Sequence, residues 1–152
     1  MIQPIDHRSE AVARQLHAVQ MRAYAQEGAL LGAVFFPPLE RTVQDLRSSS
    51  ETFLAAFEEE VLVGAISFEP DPEGMGTTIA SLVVDPPFQR RGIGRKLLRA
   101  VLADHGQREL TVQTGALNGP ALALYESEGF VVFRRWLVGR EPLELVKLRR
   151  GG

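Results

Sequence analysis

The chain has 152 residues, 45% of them apolar and 24% charged, with a formal net charge of −2. That length suits one domain around one core, and the composition belongs to a globular chain, not a disordered one. The slight negative charge gives no global pull toward nucleic acid or acidic membranes, and the lack of cysteine excludes disulfides, a thiol nucleophile and cysteine-held metal.

Residues 1–5 read as a short edge strand. Asp6 or Ser9 can cap the helix that follows, in which Val12, Leu16, Val19 and Ala23 recur at helical offsets and share one face. Gly28 and Gly32 interrupt that pattern and leave an apolar connector over 30–36 before Pro37-Pro38. A second helix is expected over 38–47, with Leu39, Val43 and Leu46 inward. The register then changes to strands over 52–57 and 61–68, joined around Glu58-Glu59-Glu60 as a solvated hairpin turn. Residues 70–74 read as a loop. A third strand over 75–84 ends in Leu82-Val83-Val84, an apolar run suited to a central strand covered on both faces. Pro86-Pro87 stops it, because neither residue donates a ladder hydrogen bond.

A helix opens near Gly92, with Ile93, Leu97, Leu98, Val101 and Leu102 at helical spacing. A strand over 110–114, a short helix over 120–128 closed by Gly129, and strands over 130–138 and 143–148 follow. Residues 149–152 read as a frayed tail. The order predicts one mixed α/β domain spanning 1–152. His7, His17 and His105 have no metal-ligand spacing, so no metal is expected. No stretch approaches the ~20 apolar residues of a membrane helix and no basic-then-apolar signal opens the chain, so a cytoplasmic location without membrane partners is the expectation.

The informative chemistry lies in Val83-Val84-Asp85-Pro86-Pro87-Phe88-Gln89-Arg90-Arg91-Gly92-Ile93-Gly94. A strand ends, a turn follows, and a helix opens with two positions that lack side chains. First-turn amides have no intrahelical acceptor, and with the positive end of the helix dipole they suit a phosphate or pyrophosphate. Arg90, Arg91, Arg95, Lys96 and Arg99 place five positive charges within ten residues. A nucleotide P-loop needs Ser or Thr after Gly-Lys, and here Gly94 is followed by Arg95-Lys96-Leu97. The dinucleotide fingerprint needs a small residue at position 97, which is leucine. A plain helix start with solvated arginines stays open. A nucleic-acid surface is the weaker reading, since the cluster is short and no aromatic platform interleaves it.

Gln89-Arg90-Arg91-Gly92-Ile93-Gly94 resembles the Gln/Arg-x-x-Gly-x-Gly/Ala motif of the GCN5-related N-acetyltransferase (GNAT) superfamily. Leu82-Val83-Val84-Asp85-Pro86 resembles that family's central strand and its exit. Asn118, Ala121, Leu124, Tyr125 and Gly129-Phe130 resemble its second motif, and the element order matches from residue 1 to about 148. The resemblance implies an α/β (α+β mixed) acyl-CoA N-acyltransferase fold, with a mostly antiparallel sheet of six to seven strands and about four helices.

It also implies acetyl-CoA (coenzyme A) as acyl donor and a small-molecule or peptide amine as acceptor, joined by direct attack in a ternary complex. Carried onto this chain, the amides of Arg91, Gly92, Ile93, Gly94 and Arg95 hold the pyrophosphate, and Gln89 and Arg90 line the approach. On the central strand Leu82, Val83 and Val84 form the cofactor-binding stretch, with the backbones of Leu82 and Val84 partnering the pantetheine arm. Asn118 bonds that arm from the other side, and the Val84 amide polarises the acetyl carbonyl. Tyr125 is the candidate acid to the departing thiolate, or else packs its ring against the arm. Many relatives place a glutamate base on the central strand or an adjacent strand, often acting through water, yet 77–84 holds no carboxylate. Glu69 is the catalytic candidate in its stead, with a solvated strand-end glutamate as the competing reading. The acceptor pocket is implied at 28–39 and 138–143, and a homodimer is expected if the apolar 30–36 segment is exposed. The alternative is a non-catalytic acyl-CoA sensor that keeps the loop without the chemistry.

Overall fold

The computed structural model describes residues 1–151. Alternating and continuous apolar runs form β1 (Ile2–Pro4), β2 (Thr52–Glu58), β3 (Val61–Pro70), β4 (Thr77–Val84), β5 (Leu110–Gly115), β6 (Val131–Val138) and β7 (Leu143–Arg150). These make one seven-stranded sheet in the order β1-β2-β3-β4-β5-β7-β6. Every pairing is antiparallel except that of β4 with β5. Four α-helices complete the fold: α1 (Glu10–Leu31), α2 (Val43–Ser48), α3 (Ile93–His105) and α4 (Gly119–Ser127). This is the mixed α/β architecture that the sequence predicts.

Two apolar clusters hold the layers together by removing leucine, isoleucine, valine and phenylalanine side chains from water. One packs Leu16 and Val19 of α1 and Leu46 of α2 against Phe53, Ala65 and Val83. The other packs Leu97, Leu98 and Val101 of α3 against Ile79, Leu110, Val146 and Leu148.

Three expectations are corrected. Helix α1 does not break at Gly28; it runs on to Leu31 and ends at Gly32, whose φ of 65° gives a left-handed cap. Gly28 is buried inside that helix, with Phe36 lying 3.5 Å from where its Cβ would be. Tertiary packing there outweighs the roughly 1 kcal/mol helix penalty of glycine. The helix expected over 38–47 is instead a 3-10 turn at Pro37–Glu40 followed by α2. Thr42 and Asp45 set the later start by capping each other: Asp45 N donates to Thr42 Oγ1 at 3.0 Å, and Thr42 N donates to Asp45 Oδ2 at 2.8 Å. Arg149 and Arg150 are not a frayed tail but the end of β7. Arg150 donates to the carbonyls of Glu128 at 3.0 Å and Gly106 at 3.2 Å. Gly152 lies outside the described residues.

The apolar 30–36 segment divides. Leu31 is buried and Phe36 half-buried, whereas Leu30, Val34 and Phe35 are exposed. Among the described residues no helix is long and apolar enough to cross a membrane.

One feature of the sheet positions the candidate site. Strands β4 and β5 pair only from Thr77–Ile79 against Leu110–Val112, and beyond that they part. Asp85 N bonds Val63 O at 2.8 Å, toward β3. Strand alternation therefore turns the peptide groups of Leu82 and Val84 the other way, into the gap, where β5 offers no partner.

Candidate active site

The glycine loop closes onto this gap. Arg90 and Gly92 both adopt left-handed backbone, with φ of 65° and 80°. The first bond of α3 runs from Lys96 N to Gly92 O at 3.0 Å. The amides of Ile93, Gly94 and Arg95 consequently have no helical acceptor, and neither a capping side chain nor an acidic residue occupies the first turn. A Cβ built on Gly92 would meet nothing within 4 Å. Open space over unsatisfied amides, beside a turn of left-handed residues, is the form of an anion cradle.

The five cations are not equally available. Arg91 sits 3.5 Å from Glu58 and lies over the Phe88 ring, 5.2 Å from its centroid. Arg95 donates to Ser127 Oγ at 2.9 Å, and Arg99 pairs with Glu128. The Arg99 bond holds the Glu128 carboxyl below its ordinary range. Arg90 and Lys96 have no carboxylate partner among the described residues. They carry the uncommitted charge of the loop. Gln89 is turned inward: its Nε2 donates to Val84 O at 3.1 Å and to Gln26 Oε1 at 2.6 Å, pinning the loop to β4 and α1.

Except for Arg91, every residue expected from sequence to hold the donor lines one cavity of about 560 Å³. A second cavity of about 570 Å³ lies beyond it, walled by Tyr24 and Leu31 of α1, Phe36, Glu69 of β3, and Val138 and Leu143. The two share Glu27, Leu82, Asn118, Ala121 and Tyr125. Glu69 lines the second cavity only.

Tyr125 stands at this junction, 4% exposed, its ring edge-on to Phe130 with centroids 5.6 Å apart. Burial pushes its phenol well above the ordinary range, and nearby Glu27 and Tyr24 push the same way, so it keeps its proton at neutral pH. Burial likewise raises the Tyr24 phenol to about 12, helped by Glu27. Asn118 caps α4, its Oδ1 accepting from Ala121 N at 3.2 Å. Its Nδ2 has only a long 3.5 Å contact with Thr114 Oγ1, so donation is what it has left to offer the gap.

Glu27 is the residue that the sequence reading missed. It stands four residues beyond Ala23, so it continues the inward stripe of α1 with a carboxylate. That misfit between charge and buried face was the signal available. Burial raises its carboxyl above the ordinary range.

Polar groups also connect the second cavity to Glu51, ahead of β2. Ser81 of β4 lines the cavity and bonds Ser67, which donates to Glu51 Oε1 at 2.7 Å. Burial alone would raise the Glu51 carboxyl, but hydrogen bonds from Arg41, Ser49 and Ser67 outweigh it and leave it below the ordinary value.

The model of the acetyltransferase (GNAT) family matches residues 13–130. The chain belongs to that family. This GNAT chain is 37% identical over 132 residues to the UPF0157 protein YqkA of Bacillus subtilis, covering 86% of this chain and 38% of YqkA. It is 35% identical over 108 residues to a mycothiol acetyltransferase of Thermomonospora curvata, covering 71% and 36%. The chain thus spans less than two-fifths of the length of either curated relative. YncA of Salmonella typhimurium, solved with its cofactor acetyl-CoA, shares the fold with a TM-score of 0.74 and 18% identity, over 99% of this chain and 92% of that one.

Proposed function

We infer that this GNAT protein transfers an acetyl group from acetyl-CoA to a primary amine within a ternary complex. One observation carries the reading: the parted β4–β5 edge and the uncapped start of α3 form one cavity, which meets a second at Tyr125. Acetyl-CoA supplies an acetyl thioester when bound, and the relatives named for acetyl transfer or solved with acetyl-CoA support that choice of donor.

The residues present suit such a group. Gly92, Ile93, Gly94 and Arg95 offer amides to a pyrophosphate, while Arg90 and Lys96 add positive charge. The free peptide edge of Leu82 and the amide of Val84 bond an extended arm as a neighbouring strand would, the Val84 carbonyl being held by Gln89. The Val84 amide polarises the acetyl oxygen, and Tyr125, which keeps its proton, is the acid for the departing sulfur.

The second cavity receives the amine. Glu27, Glu69, Asp71 and Glu73 face it against one cation, Lys147, which is itself 3.2 Å from Glu73. That balance attracts an ammonium group and repels a carboxylate held beside it. Release of free coenzyme A, measured over monoamines, polyamines, amino acids and peptides, tests the reading. Monoamines or polyamines are turned over faster than amino acids carrying the same amine. The sensor alternative, favoured only by the lack of a carboxylate on β4, requires calorimetric binding of acetyl-CoA with no amine-dependent release at all.

A further inference from the structure

We propose that Glu27 is the base that takes the proton from the acceptor ammonium, at the junction of the two cavities. The assignment rests on the transferase reading above and names the group that reading lacks.

Geometry carries it. Of the residues common to both cavities, Leu82 and Ala121 have no titratable group, Asn118 is committed to capping α4, and Tyr125 is a protonated phenol. Glu27 is the carboxylate among them. Among the described residues it has neither a hydrogen-bond donor nor a cation partner, unlike Glu51, Asp85 and Glu128. Glu69, the candidate from sequence, lines only the outer cavity, where it suits reception of the cation.

The titratable and charged neighbours come from every element around the junction. They are Tyr24 on α1, Tyr125 on α4, Glu69 on β3, Asp71 and Glu73 in the loop after it, Lys147 on β7, and Arg90 and Arg95 at the start of α3. Burial moves the Glu27 carboxyl toward neutrality, which brings its proton affinity closer to what a base working near neutral pH requires. In the step itself an ammonium N–H bond breaks, and its proton passes to the Glu27 carboxylate. The nitrogen keeps the electron pair and forms the C–N bond as the C–S bond breaks; the departing sulfur takes the Tyr125 proton, and the second proton that the new amide nitrogen sheds restores the phenol. Glu27 then returns its proton to solvent.

Glu27→Gln keeps shape and removes the base. Two nucleophiles separate roles: n-propylamine, a cation near neutral pH, and hydroxylamine, which is already neutral there. We expect Glu27→Gln to lower kcat/KM for n-propylamine by about a hundredfold or more, and to abolish the acidic limb of its pH profile. Hydroxylamine turnover and acetyl-CoA affinity should stay near wild type. Independently of turnover, protein labelled with carbon-13 at the glutamate carboxyl should show one resonance titrating above the ordinary carboxylate range, absent in the variant.

Equal losses with both nucleophiles, an unchanged n-propylamine profile, or a Glu27 resonance titrating in the ordinary range would each overturn the assignment. Wild-type protein that binds acetyl-CoA yet acetylates neither nucleophile refutes the transferase reading, and the role of Glu27 falls with it. Transfer by Glu27→Gln at the wild-type rate refutes Glu27 alone.

Discussion

The Arg22 guanidinium holds the Asp85 carboxylate at two points, Nε to Oδ1 at 2.8 Å and Nη2 to Oδ2 at 2.9 Å, tying α1 to the end of the central strand. Asp85 is the buried partner and Arg22 the half-exposed one. Arg22→Met strands a buried carboxylate, so stability should fall by about 1–3 kcal/mol. Urea unfolding measures that loss. Acetyl-CoA affinity should fall too, because the pair ties α1 to β4, and both elements line the cavity proposed for the donor.

Gly92 and Gly32 both sit in left-handed backbone with open space above them, which makes them a matched pair. Alanine at either costs about 1–2 kcal/mol of stability. Only Gly92→Glu should remove acetyl-CoA binding, by on the order of a hundredfold or more, while Gly32→Ala leaves it intact. Calorimetry on the two folded variants decides whether the cradle holds the pyrophosphate.

Tyr125→Phe preserves the edge-on contact with Phe130 and removes the phenol. Turnover of a good amine should fall about a hundredfold with acetyl-CoA affinity nearly unchanged. Equal turnover in a chemistry-limited assay would leave Tyr125 a packing role only.

Glu51 gives the acid side of the stability profile. Its folded value lies below the ordinary 4.5, so its ion pairing contributes stability above that pH and loses it as pH falls through the folded value. Urea midpoints from about pH 7 down to about pH 3 should drop below about pH 4.5. Glu51→Gln should start lower, because Arg41 loses its partner, and should decline less steeply across that window.

Gln20 is fully buried in α1, and neither polar atom of its side chain has a partner among the described residues. Gln20→Met keeps the length and drops the unpaired amide, so stability should rise by about 1–3 kcal/mol, visible as a later urea midpoint.

What the sequence disclosed follows from the range of the interactions involved. The start of α3 was legible because Gly92, Gly94 and the apolar spacing of Ile93, Leu97 and Leu98 are local signals. The strands were legible for the same reason. The break expected at Gly28 was wrong because Phe36, eight residues on, packs over that glycine. The partition of the arginine cluster was illegible, since Arg95 and Arg99 are engaged by Ser127 and Glu128 from another helix. Glu27 could have been suspected from its place on the inward face of α1. Only the fold, which sets α1 and α4 on the walls of the same two cavities, brings it to the junction with Tyr125.

The short parallel register of β4 and β5 has a consequence for how this protein experiences its surroundings. Because β4 and β5 stop pairing after Ile79, the amides of Leu82 and Val84 are left open to deuterium exchange at the C-terminal end of the central strand. An extended ligand seated there supplies the missing rungs, so global stability rises with the logarithm of its concentration. The melting temperature of this chain thereby becomes a gauge of the donor pool around it.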